Sequence, residues 1–107
     1  MDNIDKPTAS PMVNRDMRKR ASWMKSRDDL ILETLEYTDA ALSVSGIEVN
    51  TARHSSSVSS STLYRRLPDL LEGGLIETVG PNDRFYVITD DGRAYLNGEF
   101  TPPELDD

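Results

Sequence analysis

The sequence predicts a mostly helical α+β fold, with a three-helix core, a two-stranded hairpin and a closing C-terminal helix. Three observations carry that expectation. Leu63, Leu67, Leu70 and Leu71 are spaced by four, three and one, which keeps them on one stripe of a 3.6-residue helix. Directly after them Leu75 to Val79 alternates as a strand, residues 80 to 83 (Gly-Pro-Asn-Asp) read as a turn, and Arg84 to Ile88 returns as a partner strand. Thr89 followed by Asp90 and Asp91 then opens another helix, because a threonine oxygen caps orphan amides and early acids suit the helix dipole.

Taken from the N-terminus, residues 1–14 are polar, contain Pro7 and Pro11, and have no apolar period, so they read as a disordered leader. Residues 15–100 read as one domain and residues 101–107 as a loose acidic tail broken by proline. From Arg15 to Met24 the apolar positions Met17, Ala21 and Met24 recur at i, i+4 and i+7, which predicts a short amphipathic helix with a basic outer face and Trp23 near its end. This basic arm is either a contact to DNA phosphates, a dimer contact, or a leader that packs Trp23 on the core.

Ser26 with Asp29 resembles a capping box, and the first long helix then runs to about Tyr37, burying Ile31, Leu35 and parts of Leu30 and Leu32. Thr38 and Asp39 break it. Ser43 or Ser45 can cap a short second helix over Val44 to Thr51, anchored by Ile47. Any of Ser57, Ser59 or Ser60 can cap the third helix, after a turn over Arg53 to Ser57. Pro68 falls inside that helix, removes the bond to the Tyr64 carbonyl and costs ~3 kcal/mol in a regular interior. A kink or break near Leu67 is therefore expected. Gly73 and Gly74 supply a left-handed C-cap. In the last helix Ala94, Tyr95 and Leu96 can pack back on the core.

Composition limits what such a chain does. With 107 residues and 36% hydrophobic content there is room for one core, of under about 90 residues. No run of 18 apolar residues and no signal-peptide core are present, so a cytoplasmic location and no membrane partner are expected. Cysteine is absent and His54 is the one histidine, which argues against disulfides, thiol chemistry, bound metal or any cofactor. The acids of the C-terminal half have no partner base or apolar frame around them, so no catalytic constellation, no enzymatic activity and no small-molecule substrate are indicated.

The net charge of −7 argues at first against nucleic acid, since phosphate binding usually accompanies a basic domain. The charge is segregated, however. Residues 15–27 hold six bases against Asp16 alone, and residues 69–107 hold ten acids against Arg84 and Arg93. Between Glu48 and Asp69 lie twenty residues without a carboxylate, carrying Arg53, His54, Arg65 and Arg66. A surface facing a polyanion needs such a gap. Many acids, three lysines against nine arginines and no cysteine fit either a protein working in the concentrated potassium of a salt-in halophile or an ordinary acidic mesophile.

Helix, short helix, helix, hairpin, helix is the order of a winged helix-turn-helix, which puts its third helix into DNA and a β-wing beside it. The segments 62–67 (Thr-Leu-Tyr-Arg-Arg-Leu), 72–76 (Glu-Gly-Gly-Leu-Ile) and 88–96 (Ile-Thr-Asp-Asp-Gly-Arg-Ala-Tyr-Leu), with the Trp23-Met24 pair ahead of the first helix, resemble the winged-helix regulators of haloarchaea. Within them the chain is similar to the phi-H phage repressor family. The resemblance implies a transcription regulator, a repressor, that binds double-stranded operator DNA as a homodimer. It implies a recognition helix from Ser59 to about Glu72, with Ser60, Ser61, Tyr64 and Arg65 near bases, Arg66 near phosphate, and Arg84 on the flanking backbone or minor groove.

The candidate DNA contacts are thus Arg53, Ser59, Ser60, Ser61, Tyr64, Arg65, Arg66 and Arg84. Six of them have a plainer alternative: a solvated face for Arg65, a salt bridge to a neighbouring helix for Arg66, packing on the second helix for Tyr64, and capping for the three serines. The competing reading of the whole chain is a winged-helix module for protein interaction or dimerisation without DNA binding.

Overall fold

The computed structural model describes residues 17–105. Four helices and one hairpin follow in the expected order: α1 (Ser26–Thr38), α2 (Val44–His54), α3 (Ser60–Glu72), β1 (Ile76–Val79), β2 (Phe85–Ile88) and α4 (Asp90–Leu96). The strands pair antiparallel with Ile76 opposite Ile88 and Val79 opposite Phe85, joined by a 3₁₀ turn over Pro81–Asp83. The result is a winged helix. The leader over residues 1–14, with Arg15 and Asp16, lies outside the described residues.

The helix starts are set by single oxygen atoms. Ser43 accepts from Gly46 N–H, Ser59 from Thr62 N–H and Thr89 from Gly92 N–H, each satisfying an amide that has no partner within its own helix. The α1 start differs from expectation: the cap is Lys25, one residue early, and Asp28 accepts its backbone N–H. Helix α2 continues one turn further than expected, to His54, because Thr51 is buried and its hydroxyl accepts Val58 N–H across the following turn.

Helix α3 is one continuous element through Pro68, so of the kink or break expected near Leu67 the break does not occur. Leu63, Leu67 and Leu70 are fully buried, and their packing fixes the helix from within. Pro68 lies on the opposite, exposed face of the helix, away from that packing. At its C-terminus, Gly74 N–H bonds the Leu71 carbonyl and Leu75 N–H the Leu70 carbonyl, which is the Schellman arrangement. Only Gly74 is left-handed, at φ 79°. Gly73 is there for space: a Cβ would come within 2.7 Å of the Trp23 ring.

The hydrophobic core gathers Ile31, Leu32 and Leu35 from α1, Ile47 from α2, the three leucines of α3, Leu75, Ile76 and Ile88 from the hairpin, and Tyr95 and Leu96 from α4. Helix α4 sits close on the hairpin at Gly92, whose Cβ would meet the Leu75 carbonyl oxygen at 2.2 Å.

Two expectations about the termini are corrected. Residues 18–25 form no helix, although Ala21 and Met24 are buried as their spacing implied. The reason is Arg18, which turns inward: its guanidinium donates to Asp29 at 3.0 Å, to Glu33 at 2.6 Å and to the Leu96 carbonyl at 2.9 Å. Arg20 joins it on Asp29. The described tail, 101–105, is not loose either. Pro102 is buried, the Pro103 carbonyl accepts the Trp23 indole N–H, and Glu104 accepts both the backbone N–H and the hydroxyl of Ser22.

In the first turn of α1, Asp28 and Asp29 are buried. Asp28 takes a two-pronged contact from Arg66 of α3 at 2.8 and 2.9 Å, and this raises the Arg66 pKa. Asp29 takes Arg18, Arg20 and, at 2.7 Å, the Tyr95 hydroxyl of α4.

Arg66→Met is expected to cost about 3–5 kcal/mol in urea unfolding, because it strands the Asp28 charge, and adding Asp28→Asn should return part of that loss. A pH series offers a second test. Burial first, and the hydrogen bond to the Asp29 carboxylate next, raise the Tyr95 pKa well above the usual tyrosine value. The folded state thus favours the neutral phenol, so this contribution is complete below about pH 10 and is lost as pH rises beyond it. Stability should fall more steeply above that pH in the wild type than in Tyr95→Phe.

Candidate nucleic-acid interface

The outer stripe of α3 is the complement of its leucine stripe. Ser61, Tyr64, Arg65 and Pro68 stand at i, i+3, i+4 and i+7 and are all exposed, Tyr64 by 66%. None of the four is acidic. Arg65 reaches back to the Thr62 hydroxyl at 3.4 Å and, among the described residues, forms no ion pair, so its charge is presented outward. At the head of the helix Ser59 caps, with its hydroxyl 3.3 Å from that of Ser61, while Ser60 stays exposed beside them.

Beside this stripe the wing closes a groove of about 700 Å³. Ser60 and Tyr64 of α3 form one wall, Arg84 and Tyr86 of the wing another, and Ser43, Ser45 and Glu48 of α2 the third. A two-bond bridge sets that arrangement. Leu42 and Tyr86 exchange backbone hydrogen bonds of 3.0 and 2.8 Å, tying the start of α2 to the second strand of the wing. At the wing tip Gly80, Asn82 and Asp83 all have positive φ, which makes a tight turn that leaves Arg84 exposed at the groove edge.

The structure therefore gathers Ser59, Ser60, Ser61, Tyr64, Arg65 and Arg84 on one side of the molecule. It separates two of the other candidates from them. Arg66 is not available to phosphate: it is 8% exposed, and its guanidinium is used by Asp28, Asp69 and the Trp23 carbonyl. One residue of helical rotation, 100°, moves it from the outward stripe of Arg65 to the α1-facing side. Arg53 is exposed but lines a different depression, with Tyr37, Thr38, Asn50 and His54, where the Tyr37 and His54 rings lie 4.9 Å apart. Part of the basic arm is engaged elsewhere as well: Arg18 and Arg20 serve Asp29, and Arg27 donates to the Ser57 carbonyl.

Sequence reading missed the α2 contribution, Ser43, Ser45 and Glu48, and the wing's Asp83. The acid-free stretch along the chain suggested an acid-free surface. Folding returns Glu48 and Asp83 to the groove because α2 and the wing tip meet there, an adjacency that linear spacing does not contain. Among the described residues neither carboxylate is ion-paired, and Arg84 has no acidic partner within 4.0 Å.

Comparison with known proteins agrees with this architecture. Residues 17–107 match the winged helix-turn-helix phage repressor family. The crystal structure of the PhiH1 repressor-like protein from Haloarcula marismortui superposes with a TM-score of 0.63 at 36% sequence identity, over 77% of this chain and 86% of that one. No curated protein matches the sequence. With the family model covering all but the first sixteen residues, the chain belongs to the winged helix-turn-helix phage repressor family.

Proposed function

We propose that this protein is a sequence-specific DNA-binding transcription regulator acting as a repressor, with α3 in the major groove and the wing on the flanking backbone. The observation that carries the reading is the outward stripe of α3: exposed, free of acid, and backed by Arg66 held rigidly from behind. Rigidity matters because base-edge hydrogen bonds discriminate only when the donors are held in place. Arg65 is placed to grip guanine O6 and N7, Ser60 and Ser61 to reach bases or phosphates, Ser59 to cap the helix beside them, and Tyr64 to line the groove wall.

Arg84 would serve the backbone or minor groove beside the site, and Arg53 an outlying phosphate. The reading also takes the protein as a homodimer, whose two α3 helices would lie roughly 34 Å apart on inverted half-sites. In the concentrated potassium that the acidic composition fits, counterion release contributes little. Shape, base hydrogen bonds and released water then carry affinity, which suits an interface with few arginines and with Glu48 and Asp83 at its edge.

Selection from a random duplex library in high potassium chloride tests the reading. An inverted repeat should emerge, and Arg65→Ala should lose about 1–3 kcal/mol of discrimination at one guanine by fluorescence anisotropy. No enriched sequence, from protein shown by circular dichroism to be folded, would overturn it. Arg84→Ala should act differently, weakening operator and unrelated duplex by the same factor and lowering the slope of log K against log salt by about 1.

A further inference from the structure

The groove beside α3 carries more charge of the wrong sign for DNA than of the right one. Two carboxylates line it, Glu48 from α2 and Asp83 from the wing tip, against the single guanidinium of Arg84. Glu48 is half-buried and Asp83 exposed, and among the described residues neither side chain enters a hydrogen bond or an ion pair. The acids of α1 behave otherwise: Asp28, Asp29 and Glu33 are each taken up by an arginine. In the groove the negative charge is left open to whatever enters.

We propose that Glu48 and Asp83 make operator binding conditional on high ionic strength, by opposing the phosphate strand that this groove receives. The inference rests on the proposed DNA reading. With α3 in the major groove and the wing on the flanking backbone, the space between them lies on the path of one strand, and the first helix of a helix-turn-helix, here α2, crosses that backbone. A guanidinium on a phosphate releases bound cations, so its contribution weakens as salt rises. A carboxylate brought to a phosphate does the reverse, because cations must gather between them. Screening sets the reach of the repulsion, about 10 Å at 0.1 M salt and about 3 Å at 1 M. In dilute salt both carboxylates therefore repel a strand throughout the groove, whereas in molar potassium their field ends at contact distance. The neutral hydroxyls of Ser60, Tyr64 and Tyr86 line the same groove and donate to phosphate oxygens at any salt, so they hold the strand once the repulsion is screened.

Fluorescence anisotropy on the selected operator tests this with wild type, Glu48→Gln, Asp83→Asn and the double variant, over a tenfold range of potassium chloride in which circular dichroism shows every protein folded. Both replacements keep side-chain size, and asparagine tolerates the φ of 51° at position 83. Each single variant should bind more tightly than wild type at the low end, and that advantage should shrink about five- to tenfold across the range, with the double variant losing the product of the two. Glu99→Gln removes an exposed carboxylate that does not line the groove, and should keep the wild-type salt dependence. An affinity that the groove variants leave unchanged, or raise by a factor independent of salt, overturns the proposal while leaving the DNA reading intact. So does an equal change in Glu99→Gln, which would assign the effect to net charge alone, or a cytosine preference that disappears in Glu48→Gln, which would make Glu48 a reader of the N4 amino group. If the wild type itself enriches no sequence, the DNA reading has failed, and this inference with it.

Discussion

Two adjacent carboxylates on the first turn of α1 organise this molecule. Asp28 reaches α3 through Arg66, and Asp29 reaches the N-terminal segment through Arg18 and Arg20 and α4 through the Tyr95 hydroxyl. Adjacent residues on a helix point 100° apart, so a single turn engages two different neighbours without competition. Burying this much charge contributes little net stability, because desolvation offsets most of the attraction. Its effect is geometric. A hydrophobic stripe allows α3 to slide or rotate by small amounts among near-equivalent packings, whereas a two-pronged guanidinium contact has one orientation. The ion pairs thus decide which way α3 faces.

That orientation separates the two neighbouring arginines of α3 into opposite roles. Arg66 faces α1 and is saturated; Arg65, one position earlier, faces out and is not. The site is therefore a rigid scaffold behind an unsatisfied surface. The same division holds at the wing, where the Leu42–Tyr86 bridge fixes the frame and the tight turn at 80–83 leaves Arg84 exposed. Membership of the phage repressor family accounts for the architecture, and the chain's own residues determine what its surface can recognise.

Stabilisation from the ends is a further property of the fold. Trp23 fills the space left by Gly73, and its indole N–H is met by the Pro103 carbonyl, so the segments before α1 and after α4 close over the end of α3. These two flanking segments add contacts to the helix whose outer face is bare.

Element order and the hairpin were readable from residue spacing: helix period in Leu63, Leu67 and Leu70, strand alternation after Gly74, and the Thr89 cap of the last helix, whereas the cap of α1 fell on Lys25 and those of α2 and α3 were narrowed only to a few serines. These signals are local, acting over a turn of helix or a pair of strands, and local chemistry is what a linear string records. The fate of each charge was not readable. Arg18 and Arg20 looked like parts of a basic arm, and for Arg66 a phosphate contact and a salt bridge to a neighbouring helix stood side by side, because the partners lie 38 residues away for Arg66 and 11 and 15 for Arg18. Glu48 and Asp83 looked remote from the acid-free face, yet they line its groove. Pro68 looked like a break, yet its place on the solvent side made it tolerable. Whether a side chain is spent inside or offered outside depends on what packs behind its helix, and that is decided only when the elements meet.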